Sequence, residues 1–412
     1  MTTTRRTFLK TGAAGLVFSS VPGVARAAAG TRRRAYVVVI DGCRHDELDS
    51  GLTPRLAALR DGGLRFPRAR SLPVMETIPN HVMMMTGVRP DRSGVPANSV
   101  YDRALGEVRD LDQPTDIRCE TLIERLNRRG RTTGTVLSKD YLHGIFGERA
   151  THRWEPQPSL PVTGHAPDLF TMQAALTMLE ELDPDLMFVN LGDIDRFGHA
   201  DLSGTTLRLA RRLALADTDA HIGRFVDALQ EQGKWDDALL IVLADHSMDW
   251  STPDKVVSLA RALDADPLLA GQVQIADNGG ADLLYWTGPT DQHDEAVGRM
   301  LAVARAQPGV LEAHDRRERS LRLGPEAGDV VVYCRAGWRF SDPSPLTDNP
   351  IPGNHGHPAT RAIPFFLAGG HPVVRRGRAS TRIARTVDVA PTLAAYFGVG
   401  SPQGGFDGRS LL

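Results

Sequence analysis

The segment RRRAYVVVIDGCRHDEL, Arg32 to Leu48, decides how the chain folds. Its run from Tyr36 to Ile40 is apolar without a break, mostly β-branched, and halts at Asp41-Gly42. Unbroken runs of this kind, as opposed to alternating ones, belong to strands covered on both faces, and Asp-Gly supplies the loop that ends them. The arrangement returns in DLMFVNLGDID (Asp185 to Asp195) and in ALLIVLADHSMD (Ala238 to Asp249), apolar runs that each stop at aspartate. Helical patterns lie between them. TDIRCETLIERLNRRG (Thr115 to Gly130) has apolar residues at helical spacing and a glycine stop, and TTLRLARRLALADTDAHIGRFVDALQEQG (Thr205 to Gly233) is a longer amphipathic segment. This alternation predicts an α/β fold, a three-layer α/β/α sandwich with a mainly parallel central sheet. Ligands of such sheets bind beyond the carboxyl ends of the strands. Three strands ending in aspartate therefore aim three carboxylates at one edge.

Beyond Asp249 the texture changes. Residues 250–350 hold a short helix, two or three strands (QVQIAD, ADLLYW, DVVVYC), a helix near Asp291 to Gln307 and the Pro-rich loop SDPSPLTDNPIPG. IPFFLAGG then reads as a strand and TVDVAPTLAAYFG as a closing helix. The expected organisation is a core domain over 32–250 and 354–412, interrupted by a smaller α+β subdomain at 251–353. At the other end, TTTRRTFLK, the mildly apolar TGAAGLVFSSVPGV and the small residues ARAAAG make residues 1–27 a twin-arginine signal peptide. The precursor is thus expected to use the Tat export machinery and to end up periplasmic or secreted. No other segment reaches the roughly 18 apolar residues of a membrane span. The net charge is −2 and the basic residues, nearly all arginine, are dispersed, so no nucleic-acid-binding surface is expected. Cys43, Cys119 and Cys334 are too few and too scattered for a disulfide framework or a cysteine-type zinc site. Nothing in the pattern bears on oligomeric state.

Acids and histidines gather next to the strand ends: Asp41; Asp195 and His199 in DIDRFGH; Asp245 and His246 in ADHSM; His355 and His357 in GNHGHP. A single aspartate at such a place ordinarily caps a turn or helix. Together they supply the six or so oxygen and nitrogen ligands that two neighbouring divalent ions take. A pair of ions about 3.5–4 Å apart suits phosphoryl or sulfuryl transfer, since one activates the nucleophile and the other holds the leaving group. Thr77, in METIPNHVMMMTG (Met75 to Gly87), is the candidate nucleophile. A helix beginning near Pro79 would point its free N–H groups at the threonine oxyanion, a help of about 0.3–2 kcal/mol, small beside that of a metal. Met83, Met84 and Met85 read as gap-filling core residues.

These residues resemble the alkaline phosphatase superfamily, and within it the type I phosphodiesterase/nucleotide pyrophosphatase family. The resemblance runs through VVVIDGCRHDEL, LPVMETIPNHVMMMTGVRPDRSGVPANSVYD, DIDRFGHAD, VLADHSMD, GNHGHP and VDVAPTLAAYFG, nearly the whole mature chain. It implies an alkaline-phosphatase-like core. It also implies two divalent ions, Zn2+ first with Mn2+ or Fe as alternatives. Asp41, Thr77, Asp245 and His246 would hold one ion, and Asp195, His199 and His355 the other. Thr77 would attack phosphorus, and water would then cleave the phosphothreonine. Asn98, in VPANSVYD, matches the asparagine that binds a non-bridging phosphate oxygen. His355 is preferred to His357 as ligand because it directly precedes glycine, which leaves His357 as a substrate-side candidate. Asn80 and His81 are assigned to the structure of the motif. LSKDYLHGIFG resembles the Lys-Asp segment of phosphonoacetate hydrolases, making Lys139 a candidate binder of a substrate anion; a solvated loop lysine is the other reading.

The chain departs from the family in places. Ile78 stands where nucleotide pyrophosphatases often carry an aromatic residue, Asn190 stands near an expected tyrosine, and Ser93 replaces a usual histidine. The expected function is an exported two-metal hydrolase of small phosphate esters, diesters or pyrophosphates ahead of monoesters. The alternatives are a phosphomonoesterase, a C–P hydrolase of phosphonoacetate type, or a silent metal-binding protein of the same fold. A sulfatase is disfavoured, because Thr77-Ile78-Pro79-Asn80 cannot supply the C/S-x-P-x-R motif.

Overall fold

The computed structural model describes residues 32–160, 164–201, 208–341 and 352–412. The signal-peptide segment 1–27 and most of the Pro-rich loop lie outside the described residues. Residues Arg33–Leu412 form one compact unit. Its centre is an eight-stranded sheet built from β1 (Arg34–Ile40), β2 (Leu64–Arg65), β3 (Thr133–Leu137), β4 (His152–Trp154), β5 (Leu186–Leu191) and β6 (Ala238–Leu243). A four-stranded sheet follows in the chain, made of β7 (Val273–Asn278), β8 (Ala281–Trp286), β9 (Val310–Asp315) and β10 (Val330–Cys334). The chain then returns to the large sheet with β11 (Phe365–Ala368) and β12 (Arg378–Ala379). The large sheet runs β12-β2-β11-β6-β1-β5-β3-β4, and β11 is its one antiparallel member.

The three apolar runs read from the sequence are β1, β5 and β6, and they are neighbours: β1 pairs in parallel with both of the others. Every residue of β5 and β6 is buried, and so is β1 after Arg34. That is why these strands show no polar alternation. Register levels their ends. Val39 faces Asn190 on one side and Leu243 on the other, and Asn190 in turn faces Leu137 of β3. Asp41, Asp245 and Lys139 each follow this row by two residues, so three loops open at one height.

Helices α1 (Pro54–Gly62), α2 (Thr77–Thr86), α3 (Asp140–Phe146), α4 (Asp168–Glu181), α5 (Asp193–Ala200), α6 (Leu209–Glu231), α7 (His293–Ala306) and α8 (Val389–Phe397) complete the frame. α1, α4 and α5 pack on α6, and α2 packs on α8. The fold is the expected α/β type with a mainly parallel central sheet. Two expectations on elements need correction. The helix read over Thr115–Gly130 is only Leu122–Asn127. Thr121 caps it in a box with Glu124, which stops it from extending towards Thr115. The small sheet has four strands rather than two or three. Its strand β8 is buried throughout because each face meets a different core: Leu283 and Tyr285 join the main core, while Leu284 and Trp286 pack with Met300 of α7. No helix among the described residues is long and apolar enough to cross a membrane.

Candidate functional site

Thr77 is the first residue of α2, two positions earlier than the sequence suggested, with Glu76 as N-cap in extended backbone. All ten residues of the helix are buried, the three methionines included. Pro79 falls inside the first turn, where a missing N–H costs no helical bond. Asn80 holds the entry to this turn: its Nδ2 donates to the carbonyls of Leu72, Val74 and Glu76, and its Oδ1 accepts from Leu72 N–H and the Thr386 hydroxyl. It is a structural residue of the motif. Asn98 Oδ1 accepts from Ile78 N–H at 2.8 Å, and Asn98 N–H donates to Glu76 Oε2 at 2.8 Å. Burial pushes the Glu76 carboxyl well above its ordinary range. Both contacts fix Asn98 beside Thr77.

Around Thr77 the structure gathers the strand-end residues into two groups of potential ligands, Asp41 with Asp245 and His246, and Asp195 with His246 and His355. His246 Nδ1 lies 3.0 Å from the Ser247 carbonyl, which can only accept, so Nδ1 carries the proton and Nε2 presents a lone pair. That Nε2 is 3.2 Å from Thr77 Oγ1, 3.6 Å from Asp41 Oδ1 and 3.5 Å from Asp245 Oδ2. His199 is set in the same way by the Gly353 carbonyl at 2.9 Å, and its Nε2 faces Asp195 Oδ1 at 3.3 Å and His355 Nε2 at 3.1 Å. Asp195 and His199 reach one another because they are four residues apart on α5. The rings of His246 and His355 stack at 3.7 Å, joining the two groups. His357, by contrast, turns to Asp249 at 3.0 Å and stays outside both.

Electrostatics favour cations here. Asp41, Asp195 and Asp245 are fully buried carboxylates, and Lys139 is the one ammonium among them. Its Nζ lies 2.8 Å from Asp41 Oδ2, 2.7 Å from Asp195 Oδ2 and 3.4 Å from Thr77 Oγ1. Burial opposes its charge, but Asp195 and Asp41 outweigh burial and raise its pKa. Lys139 is therefore not a solvated loop lysine; its charge is shared by Asp41 and Asp195, with Thr77 Oγ1 next to it. Burial works upward on Asp195 as well, yet Lys139, His199 and His355 hold that carboxyl well below its usual range. For Asp245, His246, His81 and Lys139 overcome burial and lower it. Asp41 goes the other way, because burial and the Asp245 charge outweigh Lys139. Burial, then His246 and His199, drive the His355 pKa far down, which favours the neutral ring. Asp41 Oδ1, Asp195 Oδ1, Asp245 Oδ2 and His355 Nδ1 are buried with no hydrogen-bond partner. Buried acceptors are almost always satisfied, so three orphaned carboxylate oxygens in one cluster suit divalent cations held by these residues.

Residues that the sequence analysis did not name as ligands support this cluster. Ser138 Oγ donates to Asn190 Oδ1 at 2.6 Å, and Asn190 Nδ2 donates to Asp41 Oδ2 at 2.9 Å and reaches His81 Nε2 at 3.1 Å. His81 Nδ1 closes the chain on the Thr77 carbonyl at 2.9 Å. Asn190 interrupts an otherwise apolar strand, a signal that the sequence did carry. Gly42 has φ 69° and lies so close to Asp195 that a Cβ there would stand 3.0 Å from its carboxylate. Buried Arg211 on α6 donates to both oxygens of Glu47 and to the carbonyls of Gly42 and Ile194. It thereby ties the loop carrying Asp41 to the helix carrying Asp195.

Comparison with known proteins agrees with this geometry. Residues 35–358 match the family model described as type I phosphodiesterase / nucleotide pyrophosphatase. Human ectonucleotide pyrophosphatase/phosphodiesterase family member 5 is 24% identical over 88% of this chain and 74% of its own. Mouse bis(5'-adenosyl)-triphosphatase is 23% identical over 89% and 78% respectively. Among solved structures, murine ectonucleotide pyrophosphatase/phosphodiesterase 5 superposes with a TM-score of 0.74 at 19% identity, covering 90% of this chain and 96% of that one. Phosphonoacetate hydrolase from Sinorhizobium meliloti gives 0.67 at 20% identity, covering 87% and 94%. The chain belongs to the type I phosphodiesterase/nucleotide pyrophosphatase family, whose members are metal-dependent hydrolases of the alkaline phosphatase superfamily.

Proposed function

We propose that the chain is an exported two-metal hydrolase of phosphate esters, of phosphodiesterase or pyrophosphatase type, acting through a phosphothreonine at Thr77. The observation that carries this is the position of Thr77 Oγ1, at a helix N-terminus and 3.2 Å from the imidazole nitrogen common to both ligand groups. Asp41, Asp245 and His246 would hold one divalent cation, with Thr77, and Asp195, His199 and His355 the other; zinc suits this mixed oxygen and nitrogen set, as do manganese and iron. Bound there, the pair supplies positive charge that lowers the hydroxyl pKa and offsets charge on the leaving group. The chain supplies the rest. Lys139 Nζ donates towards Thr77 Oγ1 and favours its deprotonated form. Asn98, pinned through its Oδ1 to Ile78 N–H, keeps its amide nitrogen for a non-bridging phosphate oxygen. His81 and Asn190 brace the Thr77 carbonyl and Asp41 against movement as the nucleophile changes charge. Attack forms the Thr77 Oγ1–P bond and breaks the bond to the leaving group; water then cleaves the phosphothreonine and regenerates the hydroxyl.

Export rests on the paired Arg5-Arg6 and the small-residue ARAAAG of the leader. Residues 251–353 are proposed as an insertion that contributes one wall of the cavity. A second reading, hydrolysis of phosphomonoesters or of a C–P bond, is favoured by the Lys139 ammonium next to Thr77, which would suit a more highly charged phosphoryl group. The test uses the mature protein loaded with Zn2+ or Mn2+. Turnover of bis-p-nitrophenyl phosphate, p-nitrophenyl phosphate and phosphonoacetate is compared, with Thr77→Ala as control. Diester hydrolysis abolished in the variant is the expected result. Preference for the monoester or the phosphonate supports the second reading, and diester turnover surviving in Thr77→Ala removes Thr77 as nucleophile.

A further inference from the structure

The cavity above Thr77, about 240 Å³, is lined on one side by Tyr141 and Arg196 and on the other by Asp110 and Asp277. Arg196 differs from the other arginines near the site. Arg44 pairs with Asp46 and Arg211 with Glu47, but no carboxylate among the described residues comes within ion-pair distance of Arg196. Its Nη2 donates only to the Tyr141 hydroxyl, at 3.4 Å, with the guanidinium 5.8 Å from the centre of that ring. Its Nε is buried and makes no hydrogen bond. A buried guanidinium N–H without an acceptor is costly, and a site that keeps one is matched to an acceptor that arrives with a ligand.

Position identifies the ligand. Arg196 follows Asp195 on α5 and lines the cavity with His199 and His355, whose ion, the one without Thr77, would face the leaving group in the two-metal reading. Lys139, the other nearby cation, is taken up by Asp41 and Asp195. Across the cavity, Asp110 and Asp277 repel negative charge. The geometry points to Arg196, with the Tyr141 hydroxyl, as a subsite for a second anionic group carried on the leaving-group side of the substrate, a carboxylate or a further phosphoryl group. The planar fork of the guanidinium matches either, and the acidic wall leaves the anion one productive orientation. The subsite extends the hydrolase reading by naming a substrate class, esters whose leaving group is itself an anion.

The test compares phosphoglycolate and inorganic pyrophosphate with ethyl phosphate, which has nearly the shape of phosphoglycolate but lacks its tail charge. For metal-loaded wild type and Arg196→Gln, the quantity read is the ratio of kcat/KM for each anionic substrate to that for ethyl phosphate. A charge-assisted bond to the tail predicts a fall of about tenfold to hundredfold in that ratio, chiefly through KM, with partial recovery in Arg196→Lys. A fall for phosphoglycolate alone assigns a carboxylate tail, and a fall for pyrophosphate alone assigns a phosphoryl tail. An unchanged ratio for both overturns the subsite. If the wild type hydrolyses none of the three, turnover of bis-p-nitrophenyl phosphate by the same preparation decides the hydrolase reading, which fails only if that diester is also left intact. Calorimetric binding of methylenediphosphonate to the metal-loaded proteins then reads the subsite by itself. Tenfold weaker binding to Arg196→Gln upholds it, and equal binding overturns it.

Discussion

Lys139 carries more of the site's electrostatics than any other residue. Its ammonium touches Asp41 and Asp195 at once, and all three side chains are buried. Removing one member of a buried ion pair typically costs about 3–5 kcal/mol, because the partner is left charged and unsolvated. Lys139→Met should therefore lower the melting temperature by several degrees in chelator. With Zn2+ present the loss should shrink, since cations then neutralise the same carboxylates. Scanning calorimetry of both proteins under both conditions measures this, and equal melting temperatures in chelator would show that the ammonium contributes nothing. Gly42 offers a test of a different kind. At φ 69° an alanine is strained, and its Cβ would press on the Asp195 carboxylate. Gly42→Ala should lower metal affinity on the Asp195 side about tenfold or more, as displaced ligand geometry does elsewhere, and equilibrium metal titration reads the change.

Elements explain why these residues meet and what the sequence could disclose of it. The aspartates were legible because β1, β5 and β6 are apolar on both faces, so the polar residue that ends each run stands out. Neighbouring strands of one register were not legible: Leu137, Asn190, Val39 and Leu243 form a row only once the order β3-β5-β1-β6 is known. Burial of Lys139 follows from that order, which is why LSKDY by itself is equally consistent with a solvated loop. Arg211 shows the same limit. In TTLRLARRLALAD it is one of several arginines on an amphipathic helix, yet it alone turns inward to four acceptors, three in the segment after β1 and one on α5. Arg211→Met should destabilise the fold by about 3–5 kcal/mol, since Glu47 and two carbonyls lose their donor. Arg212→Met, one residue on and exposed, should change stability by no more than about 0.5 kcal/mol. Urea melts of the two variants check the contrast, and similar midpoints would remove Arg211 from its bracing role.

At the scale of the whole molecule, the site's charge sets how the fold responds to metal. Three buried carboxylates face one ammonium, so acidic groups outnumber basic ones where β1, β5 and β6 end. Two divalent cations held there would offset that excess. Any ligand bound only by the folded chain stabilises it by mass action, about 2.7 kcal/mol at a hundredfold excess over its dissociation constant. Two such sites should raise the melting temperature by about 5–10 °C, at about 1–2 °C per kcal/mol for a unit as long as Arg33–Leu412. The two ligand groups should also be separable. His199 faces Asp195 and His355 and none of the Asp41 set, so in the two-metal reading His199→Ala should bind one ion per chain against two for the wild type. His246 stands within ligand reach of both, so His246→Ala should weaken both sites together. Elemental analysis after dialysis gives the stoichiometry, and calorimetry in chelator gives the stability difference. A wild-type chain that binds fewer than two ions, or melts at the same temperature with and without chelator, would mean that Lys139 and the histidines already balance the carboxylates; a one-metal or metal-free chemistry would then have to be sought at Thr77.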